Sequence, residues 1–396
     1  MSPSLIVVLL SLLLGLQTVA TDLYLPALPA ITEGFGASMP QAQLTLTALL
    51  LAFGFSQLVW GPLSDRFGRR PILLWGLGAF AASGIGCALA PSMPLLIVWR
   101  TVQGVAMGAA VMSARAIVRD LYASVDGTRV MSKGQTGLGI FACLSAPVGG
   151  LLTDNFGWQA ALLALAVFGL ITLVMVAWYY KESVPRKNPH ALQPATLVRT
   201  WWQIVRHPTF FAFSALAAAT YAGLFTFLAS SSFIFINLFG LSRTAYGLVM
   251  FSMPLAYIAG TFVCRHLLPR FGIRRTVAIA GVFSALGGTL MGVLAMAGLS
   301  NGWAIMLPFY IFMLAHGIHQ PCSQSVAIGP FPQAAGAASA LNGFLMMVTA
   351  FAVGSWLGIS MDGTVLPLAY GVWFWSTVTA VIAWTLVQKH DQASES

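Results

Sequence analysis

The feature that most constrains this chain is a series of long apolar runs separated by short polar loops. A helix of about 20 apolar residues crosses the hydrocarbon core of a bilayer, and inside lipid a helix satisfies all of its own backbone hydrogen bonds. Only 7% of the residues are charged, whereas soluble domains carry about 25%. The pattern therefore predicts a helical membrane protein and excludes a soluble globular one.

Twelve apolar runs lie between the turn residues and charged loops, so we predict twelve transmembrane helices. The first run has no basic residue before it and continues past Asp22, so we expect an uncleaved span and not a signal peptide. The predicted spans are 5–31, 42–61, 71–90, 94–118, 134–152, 159–180, 209–239, 245–266, 276–299, 303–322, 334–360 and 366–387.

The basic residues fix the expected orientation. All lysines and arginines except Arg100 and Arg243 fall in the loops after spans 2, 4, 6 and 8 or at the C-terminal end. By the positive-inside rule this side is cytoplasmic, and both termini are expected there. The net charge of +9 thus reflects membrane topology, and we expect no nucleic-acid partner.

A proline-rich polar segment divides the chain into two expected bundles of six helices each. A repeat supports this division, because RFGRR at 66–70 returns with one inserted residue as RFGIRR at 270–275. The expected parts are a first bundle at 1–180, a cytoplasmic linker at 181–208, a second bundle at 209–390 and a short cytoplasmic tail at 391–396.

The strongest motif is GPLSDRFGRRP at 61–71. Gly61 allows close helix approach, Gly68 allows a tight turn, and Asp65 among three arginines can form charge-assisted pairs. A basic turn that only sets topology is the alternative. The motif resembles the cytoplasmic signature of the major facilitator superfamily, where it acts as a latch between the two halves. The resemblance implies conformational switch residues Gly61, Asp65, Arg66, Gly68, Arg69 and Arg70.

Two further spans carry family-like motifs. RTVQGVAMGAA at 100–110 resembles the fourth-span signature, in which the arginine serves proton coupling; a buried arginine costs about 3 kcal/mol on insertion scales and needs a cavity or a partner. SAPVGG at 145–150 resembles the bent fifth span of antiporters, although Ala146 replaces a glycine and the spacing before Gly149 is shorter. Helix bending and packing are expected at Gly104, Gly108, Pro147, Gly149 and Gly150.

TDLYLPALP at 21–29, ARAIVRDL at 114–121 and the segment 330–341 are similar to the Bcr/CflA group of drug exporters. The resemblance implies proton-coupled antiport of drug-like molecules across the bacterial inner membrane by a monomer. Export of small metabolites or peptides is the alternative within the same fold. The sequence contains no Ser-His-Asp or HExxH arrangement that would suggest an enzyme, and a receptor is a further alternative.

Asp22 and Arg100 are the expected proton-coupling residues. Helical rise places them roughly 13 Å and 9 Å below the outer face, a similar depth that allows a pair or a shared water network. Competition between substrate and Arg100 would then move Asp22 between protonated and charged forms. Alternatively, Asp22 only caps the helix break before Pro26.

The expected substrate cavity combines aromatic and polar residues of both halves. His316, His319 and Cys322 share a helical spacing that could hold a metal, but we expect a polar lining, no metal and no cofactor. The four cysteines stand singly, so structural disulfides are not expected. The expected partners are a small molecule, protons and membrane lipid. The candidate cavity residues are Tyr24, Gln103, Tyr221, Phe225, Tyr257, His316 and Met346.

Overall fold

The computed structural model describes residues 3–122, 124–183 and 193–390. Residues 184–192 of the expected linker and the tail at 391–396 lie outside the described residues. Within the described ranges the chain is almost entirely helical, without strands, as predicted.

Seven helices precede the linker. The first predicted span is a broken helix: α1 and α2 are separated by a 3₁₀ turn at Leu25–Ala27. Pro26 and Pro29 lack the N–H groups that would continue α1. The helices are α1 Pro3–Asp22, α2 Leu28–Gly34, α3 Met39–Phe67, α4 Arg69–Ala88, α5 Met93–Leu121, α6 Ser124–Phe156 and α7 Trp158–Tyr179.

Seven helices follow. The first of them lies inside the expected linker, so this segment holds an element of its own. The second of these helices continues directly into a π-helical turn at Phe233–Leu238. The helices are α8 Pro194–Val205, α9 Pro208–Ser232, α10 Arg243–Met296, α11 Gly302–Ile328, α12 Ala335–Ser360, α13 Leu366–Trp384 and α14 Leu386–His390.

The 54 residues of α10 are two helices joined at Gly272. At 1.5 Å per residue they would extend about 80 Å, more than twice the hydrocarbon thickness. Eleven membrane-length helices occur among the described residues, and α10 supplies two spans, so the predicted twelve spans are confirmed. Gly272 has φ 68° and Gly68, its repeat counterpart, has φ 108°. The repeated motif therefore makes a left-handed glycine turn in both halves.

Contacts group the chain into two compact units. One holds Met1–Leu197 with Ser242–Phe251, and the other holds Val198–Leu241 with Ser252–Ser396. In the first, α5 packs on α3 and α4, and α1 packs on α6; in the second, α9 packs on α11, α12 and α13. Gly104 lies against the Leu49 carbonyl and Gly108 against Ser56. A side chain at either glycine would push α5 away from α3.

Candidate functional site

Arg100 is the most unusual side chain of the first unit, because it is fully buried within a membrane-length helix. Its Nη1 donates to Gln103 Oε1 at 2.7 Å, its Nη2 to the Ala20 carbonyl at 3.0 Å, and its Nε to the Thr45 carbonyl at 3.3 Å. Each of the three nitrogens thus has an acceptor. The free Ala20 carbonyl exists because α1 ends at Asp22, so the helix break creates part of the arginine site.

The Tyr24 ring packs against the guanidinium in this site. The Arg100 guanidinium lies 4.2 Å from the centroid of the Tyr24 ring, and the Tyr24 hydroxyl donates to Thr45 Oγ1 at 2.8 Å. Cation–π attraction is strongest where the cation is desolvated. Tyr24 is itself fully buried, so it was expected in the cavity lining but contributes here to holding Arg100. Gln103 is also buried, and its Nε2 has no partner among the described residues.

Asp22 and Arg100, for which a pair or a shared water network was expected, form no direct pair. Arg69 and Arg243 form ion pairs with carboxylates, whereas Arg100 forms none with a described residue. Asp22, at the end of α1, accepts instead from Thr21 Oγ1 at 2.9 Å and is only partly buried. Arg100 binds main-chain carbonyls instead of Asp22, because the helix break places the Ala20 carbonyl beside the guanidinium. Arg100 is therefore held by neutral groups, and Asp22 follows one of them, the Ala20 carbonyl, by two residues.

The predicted cavity residues of the second half fall into three separate contacts. His316 Nδ1 hydrogen-bonds Thr220 Oγ1 at 2.9 Å, and the Tyr257 ring lies 5.6 Å from the His316 ring. Tyr221 and Phe225 stack along α9 with centroids 6.5 Å apart. Met346 Sδ accepts from Gln320 Nε2 at 3.7 Å. Gln320 is a polar neighbour that the sequence reasoning missed, and its helical spacing of four residues from His316 was the available signal.

The three residues considered as metal ligands do not converge. His319 Nε2 contacts the Val277 carbonyl at 3.2 Å, whereas Cys322 Sγ lies 3.6 Å from Cys264 Sγ. No group of three potential ligands occurs among the described residues. Two cysteines that stand alone in sequence are thus neighbours on α10 and α11, since Gly260 and Gly317 let these helices approach one turn earlier.

Arg69 is the centre of the motif at 61–71. It is buried, and it pairs with Asp65 Oδ1 at 2.6 Å and with Asp120 Oδ2 at 3.0 Å. Arg66 is exposed and lies over the Phe67 ring. A methyl group at Gly61 would meet Met112 only at 3.7 Å. The close approach expected at Gly61 is therefore wrong, because space for a side chain exists there.

Two acidic residues that sequence reasoning did not single out complete this network. Asp120 at the end of α5 also accepts from Ser183 Oγ at 3.2 Å, and the Glu182 carboxylate accepts from the backbone N–H groups of Arg69 and Arg70 at 2.9 and 3.1 Å. A carboxylate suits the positive N-terminal end of α4. Asp120 could have been found from the sequence, because it lies in the family-like segment 114–121. Glu182 lies in none of the motifs described above.

Tyr180 closes the same network from the end of α7. Its hydroxyl lies 2.7 Å from Ser183 Oγ, and burial raises the pKa of Tyr180 to about 12. The phenol therefore remains protonated at neutral pH. Arg70 Nη2 adds a bond to the Ala177 carbonyl at 2.9 Å. We call Asp65, Arg69, Asp120, Glu182 and Ser183 the Arg69 network.

Asp120→Asn should destabilise the protein more than Asp65→Asn. The Asp120 side chain is 10% exposed and that of Asp65 is 42% exposed. Loss of a hydrogen-bonded buried partner costs about 2 kcal/mol, whereas an exposed pair contributes less than about 1 kcal/mol. Thermal unfolding in detergent measures the difference. Equal melting temperatures for the two variants would contradict this ranking.

The end of α6 contacts the start of α10 within the first unit. Asp154 accepts from the Thr244 N–H at 2.8 Å and Oγ1 at 2.7 Å and lies 3.4 Å from Arg243 Nη1. Gly150 lies against Arg243 and Thr244, and Gly149 lies against the Leu23 carbonyl. Pro147 lies inside α6. A side chain on Gly247 of α10 would come within 2.7 Å of the Pro147 Cα, so the two backbones are in close contact there. The glycines thus stand at backbone contacts.

Comparison with known proteins identifies the family to which the chain belongs. The chain matches the Major Facilitator Superfamily over residues 10–355. It is 28% identical to Multidrug resistance protein D of Escherichia coli over 87% of this chain and 86% of that protein, and 25% identical to the Bicyclomycin resistance protein homolog of Haemophilus influenzae over 91% and 90%. A solved D-xylose-proton symporter shares the fold, with a TM-score of 0.74, 17% identity and 98% of each chain covered. The family expected from the motifs is confirmed: this chain is a multi-pass membrane transporter of the Major Facilitator Superfamily.

Proposed function

We propose that this protein exports small drug-like molecules across the bacterial inner membrane in exchange for protons. The observation that carries the proposal is the buried Arg100 site, with Asp22 two residues from the Ala20 carbonyl that Arg100 binds. A buried arginine without a carboxylate partner is costly, which is typical of functional charges in membranes. The resistance names of the relatives support drug-like substrates.

In the proposed cycle, substrate and proton act on the same region at different times. A proton on Asp22 removes a negative charge two residues from the Ala20 carbonyl that Arg100 binds, and this change of charge alters the affinity for substrate. Neutral acceptors suit this role, because they hold Arg100 equally in both protonation states of Asp22. Tyr221, Phe225, Tyr257, His316 and Met346 supply aromatic and polar contacts for the substrate in the second half.

The positive-inside pattern supports cytoplasmic termini, a cytoplasmic Arg69 network and an outer position for Asp154 and Arg243. In this arrangement Asp65, Arg66 and Arg69 act as the conformational switch, within a monomer surrounded by lipid. Small molecules and protons are its only proposed substrates.

The proposal is tested in an efflux-deficient bacterial host. Expression of the wild-type protein should raise resistance to several unrelated antibiotics, and inverted membrane vesicles should accumulate the same compounds when a proton gradient is applied. Arg100→Ala is the matched inactive control. Unchanged resistance across the panel, together with gradient-driven transport of small metabolites or peptides, would replace drug export by the metabolite alternative.

Cross-linking at Asp154 should stop transport. Alternating access requires the outer side to open, and Asp154 bonds directly to Thr244. In a variant without native cysteines, oxidation of Asp154→Cys/Thr244→Cys should reduce transport to background, and a reductant should restore it. Each single-cysteine variant is the control. Full activity of the oxidised double variant would show that this contact need not open.

A further inference from the structure

The segment that joins the two halves contains a strongly amphipathic helix, α8. Val198, Trp201, Trp202 and Val205 recur at helical spacing and form one apolar face. Arg199 and Gln203 lie on the polar side. No acidic residue occurs between positions 193 and 207.

Half of the apolar face is left uncovered by protein, because Val198 and Trp202 are exposed while Trp201 and Val205 are half-buried. Val198 is 60% exposed and Trp202 is 57% exposed, whereas Ile204, at the edge of that face, is 1% exposed. The helix is thus attached to the protein at its edge, and a tryptophan and a valine face outward. Water is an unfavourable neighbour for this face, since about 25 cal/mol is lost for each Å² of exposed apolar surface.

The two arginines of this segment stand seven residues apart, beside the exposed tryptophan. The Arg206 guanidinium lies 4.3 Å from the centroid of the Trp202 ring. Tryptophan and arginine together are typical of the boundary between hydrocarbon and headgroups. Both arginines lie along the same edge of the apolar face, next to Trp202, so both can reach phosphates at one depth.

The position of α8 in the chain also restricts its partner. Only Arg206 and His207, the second with an extended backbone at ψ 124°, separate α8 from the membrane-length helix α9 that begins at Pro208. The helix α8 therefore ends within a few residues of the bilayer, and the extended residue lets the chain change direction there. A lipid surface is present at this place in every copy of the protein.

We propose that α8 lies in the plane of the cytoplasmic leaflet and binds anionic phospholipid. Val198 and Trp202 enter the boundary of the hydrocarbon, and Arg199 and Arg206 bind the phosphate groups. Apolar insertion and cationic contact together are the two contributions that hold interfacial helices. The site thus selects phosphatidylglycerol or cardiolipin over a neutral lipid, and it fixes the linker to the membrane surface.

Lipid binding can be measured on the purified full chain in uncharged detergent. Phosphatidylglycerol should raise the melting temperature, and phosphatidylcholine or inorganic phosphate at equal concentration should not. Arg199→Gln/Arg206→Gln should weaken the apparent affinity for phosphatidylglycerol about thirtyfold. Arg265→Gln/Arg270→Gln, two exposed arginines elsewhere in the second unit, is the matched control and should keep it. Equal affinity of both double variants would overturn the proposal.

Depth is tested separately, so that the result does not depend on charge. Spin labels at Val198→Cys and Gln203→Cys, each in a variant without native cysteines, are compared in phosphatidylglycerol proteoliposomes. The label at 198 should collide mainly with dissolved oxygen and the label at 203 with a water-soluble nickel complex. Aqueous access at both positions would overturn the proposal and would favour a protein partner for the apolar face.

Discussion

Arg100→Lys should lose more than about tenfold of the transport rate, although the charge is kept. The guanidinium donates through Nη1, Nη2 and Nε to three acceptors in different directions and lies flat over Tyr24. A lysine ammonium is a compact point charge and cannot reproduce this planar fork. Each hydrogen bond from a charged group contributes about 1.5–3 kcal/mol, and tenfold in rate corresponds to about 1.4 kcal/mol.

The measurement is gradient-driven uptake into inverted vesicles at matched expression. Arg119→Lys is the control, because Arg119 lies on the same helix but is exposed. A melting temperature measured on the same samples separates loss of folding from loss of transport. Wild-type uptake by Arg100→Lys would show that a point charge suffices and that the fork is not required.

Asp22→Asn should abolish proton-driven transport and leave substrate exchange intact. Asparagine keeps the size of the side chain and can still accept from Thr21 Oγ1, the contact that Asp22 makes at 2.9 Å. It cannot take up or release a proton in the relevant range. The variant should therefore fold, bind substrate and exchange it across the membrane, but accumulate none of it against a gradient.

Two assays on the same proteoliposomes separate these steps: counterflow of labelled substrate, and uptake driven by a pH gradient. Glu33→Gln is the matched control, since Glu33 is an exposed acid on the neighbouring helix α2. Wild-type accumulation by Asp22→Asn would remove Asp22 from proton coupling. The simpler role, a residue at the end of a broken helix, would then account for it.

The sequence alone determined the class, the number of spans and the family. Twelve apolar runs can only be satisfied as membrane helices, because lipid offers the backbone no other hydrogen-bond partners. The turns at Gly68 and Gly272 were also readable, since a glycine between two helices marks a positive φ. These features are local, and each is decided by a few neighbouring residues.

The partners of the buried charges were decided only by the tertiary structure. The membrane depth inferred from the sequence placed Asp22 near Arg100, yet Arg100 binds the Ala20 and Thr45 carbonyls instead. Carbonyl groups occur at every residue and leave no signal in the sequence, so no pattern could identify these two. Which carbonyl is free depends on where a helix breaks and which helix packs beside it.

The same reason explains the other sites that were missed. Glu182 caps α4 from the end of α7, and Cys264 contacts Cys322 across two helices. Such pairs are separated by 58 residues or more in sequence. Their meeting is fixed by close backbone contacts such as that of Gly260 with Gly317, and helix packing is a property of whole surfaces that short motifs do not encode.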